Sequence, residues 1–316
     1  MLDPVALDIS WLTGRHEASR SWATSTRPGI QILSLSSSYV RVRVAGEGSV
    51  TVLFVTDPPN VVEQYDPLFA ELSSVGRVAC MEQPGFGFSF PKPGFDFTRP
   101  AFARLLEETL EALGPGPYVL VLACTSAFYG LEVAERLGAR VKGLVIVQAA
   151  AWGQALPWAR YVAWAFTAAT LWIPLGGASL MKTPYLGQRL MRRIAPTFCQ
   201  KTTPQVVRTK ELVSTFLEPQ SEAVAHGACN CMTSYYQRFF RETTLPVGVL
   251  DQPGLIVWGQ KDPSHRKVDL RGETPGLRQH FRRSELLKLE GTGHHAELER
   301  PAAVARSIRT LLGSVV

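Results

Sequence analysis

The chain has few of the features that assign a protein to a specialised class. Its 316 residues contain only five cysteines, an odd number, which fits a reducing compartment better than a disulfide framework. Charged residues make up 19% of the chain, and the net charge of +6 comes from scattered side chains rather than a basic stripe interleaved with aromatics. We find no nucleic-acid motif, internal repeat or low-complexity segment. A nucleic-acid partner is therefore not expected.

The sequence also lacks a convincing membrane or export signal. Residues 1–8 carry acidic side chains and no apolar signal core, so we expect a cytoplasmic protein. The one long uncharged run, Tyr161 to Met181, could span a bilayer. Pro174 interrupts it, however, and strands of one domain continue on both sides. We expect a buried or cleft-lining pair of helices there, with membrane association as the less favoured alternative.

No pattern of metal ligands or cofactor-binding residues stands out. His226, Cys229 and Cys231 lie close together, but their spacing matches no common zinc motif and lacks a second ligand pair. We therefore expect these residues to belong to a helical surface or core. The sequence predicts neither an organic cofactor nor a metal.

What the sequence does contain is an alternation of strand-like and helix-like segments. With 46% hydrophobic residues it can bury a large core. Alternating strands and helices predict an α/β fold with a mostly parallel sheet of about eight strands flanked by helices. The alternation stops between 151 and 250, where helical patterns rich in large apolar residues predict an inserted cap. We thus expect an N-terminal arm (1–37), a core (38–150 and 251–316) and a helical cap (151–250).

Cys124 lies at the most informative corner of this pattern. An apolar strand from Tyr118 ends directly before it, and a helical segment begins at Thr125. A strand, a sharp turn and a helix form the setting of a nucleophile elbow, which exposes one side chain above the helix N-terminus. The helix dipole there favours a thiolate. The alternative is a small buried cysteine, and Ser126 is a less favoured centre for the same elbow.

Two further polar residues follow predicted strands. Asp262 comes shortly after the strand at 254–259, and His294 comes after the strand at 286–290. Because the carboxyl ends of parallel strands share one edge of a sheet, Cys124, Asp262 and His294 should meet there. Their chain order, nucleophile, acid and base, is the order of nucleophile-elbow enzymes. His295 is the rival base.

From about residue 38 to 314 the chain resembles an α/β-hydrolase of the cap-bearing branch. The resemblance rests on the segments EQPGFGFS (82–89), WGQKD (258–262) and GTGHHAELERP (291–301) together with the corner at Cys124. A cysteine at the nucleophile position is similar to the dienelactone-hydrolase type. The resemblance implies that His294 takes the proton of Cys124, that Asp262 orients His294, and that the sulfur attacks an acyl carbon.

Two segments depart from the family pattern. The elbow usually reads Gly-x-nucleophile-x-Gly, whereas Leu122 and Ser126 occupy the glycine positions here. The family's His-Gly-x-Pro segment, which supplies a backbone donor to the oxyanion hole, corresponds to residues 56–59. Pro58 would fall at the donor position and has no N–H to give. The Thr125 N–H would remain, and Asp57 would oppose an oxyanion unless protonated or turned away.

These residues support two functions. The leading hypothesis is a thiol-dependent enzyme that hydrolyses or transfers the acyl group of an ester, thioester or lactone. Thr125, Thr56, Asp57 and Trp152 would line its oxyanion and substrate site. Tryptophans at 152, 158, 164 and 172 favour an apolar substrate, although they could simply pack the cap. The rival is a non-covalent lyase, cyclase or binding protein that uses His294 and Asp57 as acid and base.

Overall fold

The structure is a computed structural model that describes residues 23–58, 60–74, 76–157, 159–161, 164, 232–262 and 276–315. Most of the predicted cap (151–250) lies outside these residues. So do His226, Cys229 and Cys231, the tryptophans at 158 and 172, and nearly all of the uncharged run at 161–181. Among the described residues, no helix is both long enough and apolar enough to cross a bilayer.

In the described part of the chain, nine strands form one mixed sheet in the order β1-β2-β4-β3-β6-β7-β8-β9, with the short β5 pairing to β2. Strands β1, β2 and β5 pair antiparallel, and the pairs from β4 through β9 are parallel. The predicted α/β-hydrolase fold is confirmed. The strands are β1 (Ile30–Ser34), β2 (Ser38–Ala45), β3 (Thr51–Val55), β4 (Arg77–Met81), β5 (Phe90–Pro91), β6 (Tyr118–Ala123), β7 (Val141–Val147), β8 (Gly254–Gly259) and β9 (Ser284–Leu289).

Helices cover both faces of this sheet. They are α1 (Asp66–Leu72, after a 3₁₀ turn at Val62–Tyr65), α2 (Arg99–Leu113), α3 (Ser126–Leu137), α4 (Met232–Phe239), α5 (Ala296–Glu299) and α6 (Pro301–Val315). One apolar core lies beneath α2 and α3 and includes Leu120 and Leu122. The opposite core lies beneath α1 and α6 and includes Val119 and Val121. Successive residues of β6 thus enter opposite cores, which explains its uninterrupted apolar sequence.

Two local differences from the sequence prediction concern the first strands. Residues 30–34, placed in the N-terminal arm, form β1 and pair with β2 along its length. The alternation of apolar and polar residues from Tyr39 to Val44 is typical of a half-exposed strand, but Arg41 is completely buried. Arg41 donates to Glu63 Oε2 at 3.0 Å and Glu82 Oε1 at 2.8 Å, so its charge is neutralised inside the protein. An alternating pattern alone does not reveal such a partner.

The parallel register aligns the carboxyl ends of the central strands. Leu122 pairs with Val55, Ala123 with Val147, and Val147 with Val257. The residues that follow β3, β6, β7 and β8 therefore emerge at one edge of the sheet.

Candidate active site

Cys124 occupies the tight corner between β6 and α3. Its φ of 51° lies in the left-handed region, which a non-glycine residue rarely adopts outside strained functional turns. The Cys124 N–H donates to Val147 O at 2.8 Å, and its carbonyl accepts from Ala127 N at 3.2 Å, so both neighbouring elements hold the corner. Ser126 is fully buried and donates its hydroxyl to Ala123 O at 2.8 Å, which turns it away from the site.

The bulky Leu122 at the usual glycine position has a local explanation. A Cβ placed on Gly130, in the second turn of α3, would lie 2.3 Å from Leu122 Cδ1. The missing side chain at Gly130 thus provides the space that Leu122 fills. In this chain the glycine that allows β6 and α3 to approach closely lies in the helix, at Gly130, and not in the strand.

Asp262 and His294 meet beside Cys124. His294 Nδ1 lies 2.8 Å from Asp262 Oδ2, and both side chains are buried. The Cys124 sulfur lies within 4.8 Å of a ring nitrogen of His294. Asp262 therefore hydrogen-bonds to His294, the base that the sequence favoured over its rival His295. The structure therefore brings together the three residues that the sequence predicted as a triad.

A second carboxylate approaches the same imidazole. Asp57 Oδ2 lies 3.0 Å from His294 Nε2. His294 is held between two carboxylates, Asp262 on one ring nitrogen and Asp57 on the other. Burial disfavours the imidazolium, but the interactions with Asp262 and then Asp57 outweigh it and raise the pKa of His294 well above its ordinary value.

Two effects oppose ionisation of the Cys124 thiol. Burial, and then the charge of Asp57, raise the pKa of the Cys124 thiol to about 11 despite the hydrogen bond to His294. Burial and Asp57 thus oppose the thiolate that the helix dipole favours.

His295 belongs to a separate buried polar cluster behind the site. Its Nδ1 lies 3.3 Å from Asn60 Nδ2 and 3.8 Å from Asp57 Oδ2. Burial and the adjacent His294 lower the pKa of His295 to about 4, so it stays neutral at physiological pH. Burial raises the pKa of the nearby Glu297 to about 8. The lowered pKa of His295 makes it a poor proton acceptor.

The loop after β3 provides few donors for an oxyanion. The Thr56 N–H donates to Met81 O at 3.0 Å, and the Asn60 N–H donates to Asp57 O at 2.7 Å. Pro58 has no N–H. The Thr125 N–H, in contrast, has no acceptor within the described part of the chain. The buried Thr56 hydroxyl likewise has no partner there, so it is a side-chain donor that a substrate could use.

Aromatic residues form one wall near the elbow. Trp152 lies edge-on to Phe128 at 4.9 Å between ring centroids and stacks on Phe240 at 5.3 Å. Trp152 is buried, and its indole nitrogen has no partner among the described residues. Tyr235 of α4 donates its hydroxyl to the Thr125 side chain, which joins this wall to the elbow. Trp164, by contrast, is 65% exposed.

Gln148, which follows β7, also contacts Asp262. Its side-chain nitrogen lies 2.9 Å from Asp262 Oδ2, the same oxygen that contacts His294. Only its position directly after a buried strand distinguished it in the sequence, and a glutamine there carries no chemical signature of its own.

Asp57, Cys124 and His294 are also the described residues that could hold a metal ion. Their donor atoms lie within 4.8 Å of one another. Thiolate, imidazole and carboxylate are ligands that zinc accepts. A metal there would occupy the same atoms that acyl chemistry would use.

Fold and site geometry together define an α/β-hydrolase with a cysteine at the elbow. Residues 55–307 match the sequence profile of the alpha/beta hydrolase family, and the chain belongs to that family. A search of curated proteins finds no match.

Solved structures of similar fold include several hydrolases. An esterase from Thermogutta terrifontis is 20% identical with a TM-score of 0.66, covering 90% of this chain and 99% of the other. The meta-cleavage product hydrolase CumD from Pseudomonas fluorescens IP01 is 17% identical with a TM-score of 0.62, covering 92% and 100%. A serine hydrolase involved in carbazole degradation, CarC, is 17% identical with a TM-score of 0.63, covering 90% and 98%. At these identities the similarity shows the fold alone.

Proposed function

We propose that this chain is a Cys124-dependent hydrolase or acyltransferase that acts on an ester, thioester or lactone. The observation that carries the proposal is the elbow itself, a strained cysteine whose sulfur faces a histidine that a buried aspartate orients. The aromatic wall of Phe128, Trp152 and Phe240 favours an apolar acyl group. The esterase and hydrolases of similar fold agree with this reaction class.

The proposed reaction uses general base and nucleophilic catalysis. Neutral His294 accepts the thiol proton on Nε2 while the sulfur bonds to the acyl carbon and the carbonyl electrons move to oxygen. The tetrahedral oxyanion then re-forms the carbonyl, and the leaving group departs with the proton from His294. Water or another acceptor attacks the thioester, and its proton passes through His294 to the sulfur. Asp262 fixes the imidazole tautomer throughout.

This mechanism predicts slow turnover. The described loop after β3 lacks the usual backbone donor at Pro58, and losing one such donor costs about 3–4 kcal/mol in acyl-transfer enzymes. Thr125 N–H remains as a donor, with the Thr56 hydroxyl as a side-chain candidate. Both acylation of Cys124 and hydrolysis of the thioester pass through an oxyanion, so both steps should be slow.

Intact mass spectrometry tests the proposal directly. The protein is incubated with p-nitrophenyl acetate, butyrate and octanoate, and the acylated fraction is measured and mapped. We expect one acyl group on Cys124, faster with the longer chains, and none in Cys124→Ala. Cys80→Ala is the matched control, because Cys80 is a fully buried cysteine in the opposite core. Absence of an adduct on the wild type, or an adduct that persists in Cys124→Ala, would refute covalent acyl catalysis.

The contact between Asp57 and His294 favours a second candidate function. A carboxylate 3.0 Å from the imidazole could exchange protons with it and with a bound substrate, giving acid–base catalysis without an acyl intermediate. This candidate predicts full turnover in Cys124→Ala and loss in both Asp57→Asn and His294→Gln. The acyl-enzyme mechanism predicts loss in Cys124→Ala.

A further inference from the structure

Gln148 forms a dense set of contacts at the carboxyl end of β7. Its N–H donates to Val257 O at 3.0 Å, and its φ of 51° repeats the left-handed turn of Cys124 at the end of the neighbouring strand. A buried glutamine in this conformation is held there by its surroundings. The turn directs the side chain along the edge of the sheet where Asp262 lies.

The side-chain amide of Gln148 has only one orientation that satisfies its neighbours. Its Oε1 accepts from Gly259 N at 2.6 Å, which fixes which end of the amide is oxygen. Its Nε2 then faces two acceptors, Asp262 Oδ2 at 2.9 Å and Gly259 O at 3.3 Å. The Gln148 amide thus accepts from the N–H of Gly259 and donates to its carbonyl. These two hydrogen bonds fix the position of the amide, so its other N–H points at the Asp262 carboxylate.

We infer that Gln148 is a positioning residue that fixes the acid of the catalytic triad. Asp262 Oδ2 receives Gln148 Nε2 at 2.9 Å and lies 2.8 Å from His294 Nδ1, so one oxygen joins both side chains. Without the amide, this oxygen loses one of the hydrogen bonds that orient it toward the imidazole. Gln148 thereby helps Asp262 hold the proton on His294 Nδ1, which is the tautomer whose unprotonated Nε2 the proposed mechanism requires. This role depends on the proposed function.

Two substitutions separate positioning from simple packing. Gln148→Met keeps the length of the side chain and removes all its hydrogen bonds. Gln148→Glu keeps an acceptor for Gly259 N but replaces the donor to Asp262 with a second negative charge. Gln252→Met is the matched control, because the Gln252 amide likewise bonds backbone carbonyls, at Gly138 O (2.9 Å) and Ala134 O (3.3 Å).

The first readout is the pH profile of acyl-adduct formation. We expect Gln148→Met to lower the plateau rate about 10- to 100-fold, the usual loss when the partner that orients a functional side chain is removed. In Gln148→Glu the added negative charge stabilises the imidazolium, so the acid limb should move about one pH unit higher or more. Gln252→Met should leave both plateau and limb unchanged. If Gln148 only packs against its neighbours, Gln148→Met, which has the same length, should keep the plateau rate of the wild type.

The second readout needs no substrate. The titration of His294 is followed by NMR in a Cys124→Ala background, with its signal identified by loss in His294→Gln. We expect Gln148→Glu to shift this titration to higher pH. An unmoved titration in a folded Gln148→Glu, or a plateau rate for Gln148→Met within twofold of the wild type, would overturn the inference. If the wild type forms no adduct, the proposed function fails, and the His294 titration still decides the role of Gln148.

Discussion

At the scale of single residues, two carboxylates set the proton affinity of one imidazole. Asp57 Oδ2 contacts His294 Nε2, and Asp262 Oδ2 contacts Nδ1. In the proposed mechanism His294 must be neutral to accept the thiol proton. Because the pKa of His294 is raised well above its ordinary value, adduct formation should increase with pH and reach its plateau only above that ordinary value.

Asp57→Asn should therefore move the acid limb of adduct formation to lower pH. The substitution removes a negative charge that raises the pKa of both His294 and Cys124, so His294 loses its proton earlier. We expect a shift of about one pH unit, measured as the rate of Cys124 acylation by mass spectrometry from pH 5 to 10.

Asp96→Asn provides the control, because the Asp96 carboxylate is exposed and bonds to Thr98. An acid limb that stays in place, or moves higher, in Asp57→Asn would show that Asp57 does not set the proton affinity of His294. Loss of all turnover would instead favour the acid–base function.

The sequence could predict which charged residues gather at the site but not their mutual contacts. Cys124, Asp262 and His294 follow buried strands, and parallel pairing brings such positions together. The second contact of His294, with Asp57, depends on a side-chain direction that sequence spacing does not encode. The catalytic roles of these residues stay predictions until they are tested.

At the scale of secondary-structure elements, the packing of β6 against α3 positions the elbow. Leu122 is fully buried and occupies the space that a side chain at Gly130 would need. The strand pattern predicted β6 well, because both of its faces are apolar. It did not predict that Leu122 packs against Gly130, because the sequence does not show which helix turn faces which strand residue.

Gly130→Ala should destabilise the protein by about 1–3 kcal/mol, measured by urea unfolding, because the new methyl group overpacks the contact with Leu122. The same substitution in a Leu122→Ala background should have the opposite sign. With the leucine shortened, the methyl group fits, and alanine has a higher helix propensity than glycine by about 1 kcal/mol. Equal effects in the two backgrounds would show that Leu122 and Gly130 are not coupled.

At the scale of the whole molecule, Arg41 ties the antiparallel side of the sheet to the rest of the core. Its guanidinium donates to Glu63 beside α1, to Glu82 after β4 and to the Ala23 carbonyl at 2.8 Å. Carboxylates and arginine stabilise one another there, since isolated charges would be costly to bury. Polar residues in alternating strands usually face water, so the sequence pattern does not indicate that Arg41 is buried.

Arg41→Met should lower the free energy of unfolding by about 3–5 kcal/mol, because Glu63 and Glu82 would remain buried without their cation. Urea unfolding followed by circular dichroism measures the change. The triple variant Arg41→Met, Glu63→Gln and Glu82→Gln should recover part of it, since no unpaired charge is left. Arg27→Met is the control, because Arg27 is 38% exposed and its ion pair with Asp66 contributes at most about 1 kcal/mol. If Arg41→Met costs no more than this control, the buried cluster does not hold the two sides of the sheet together.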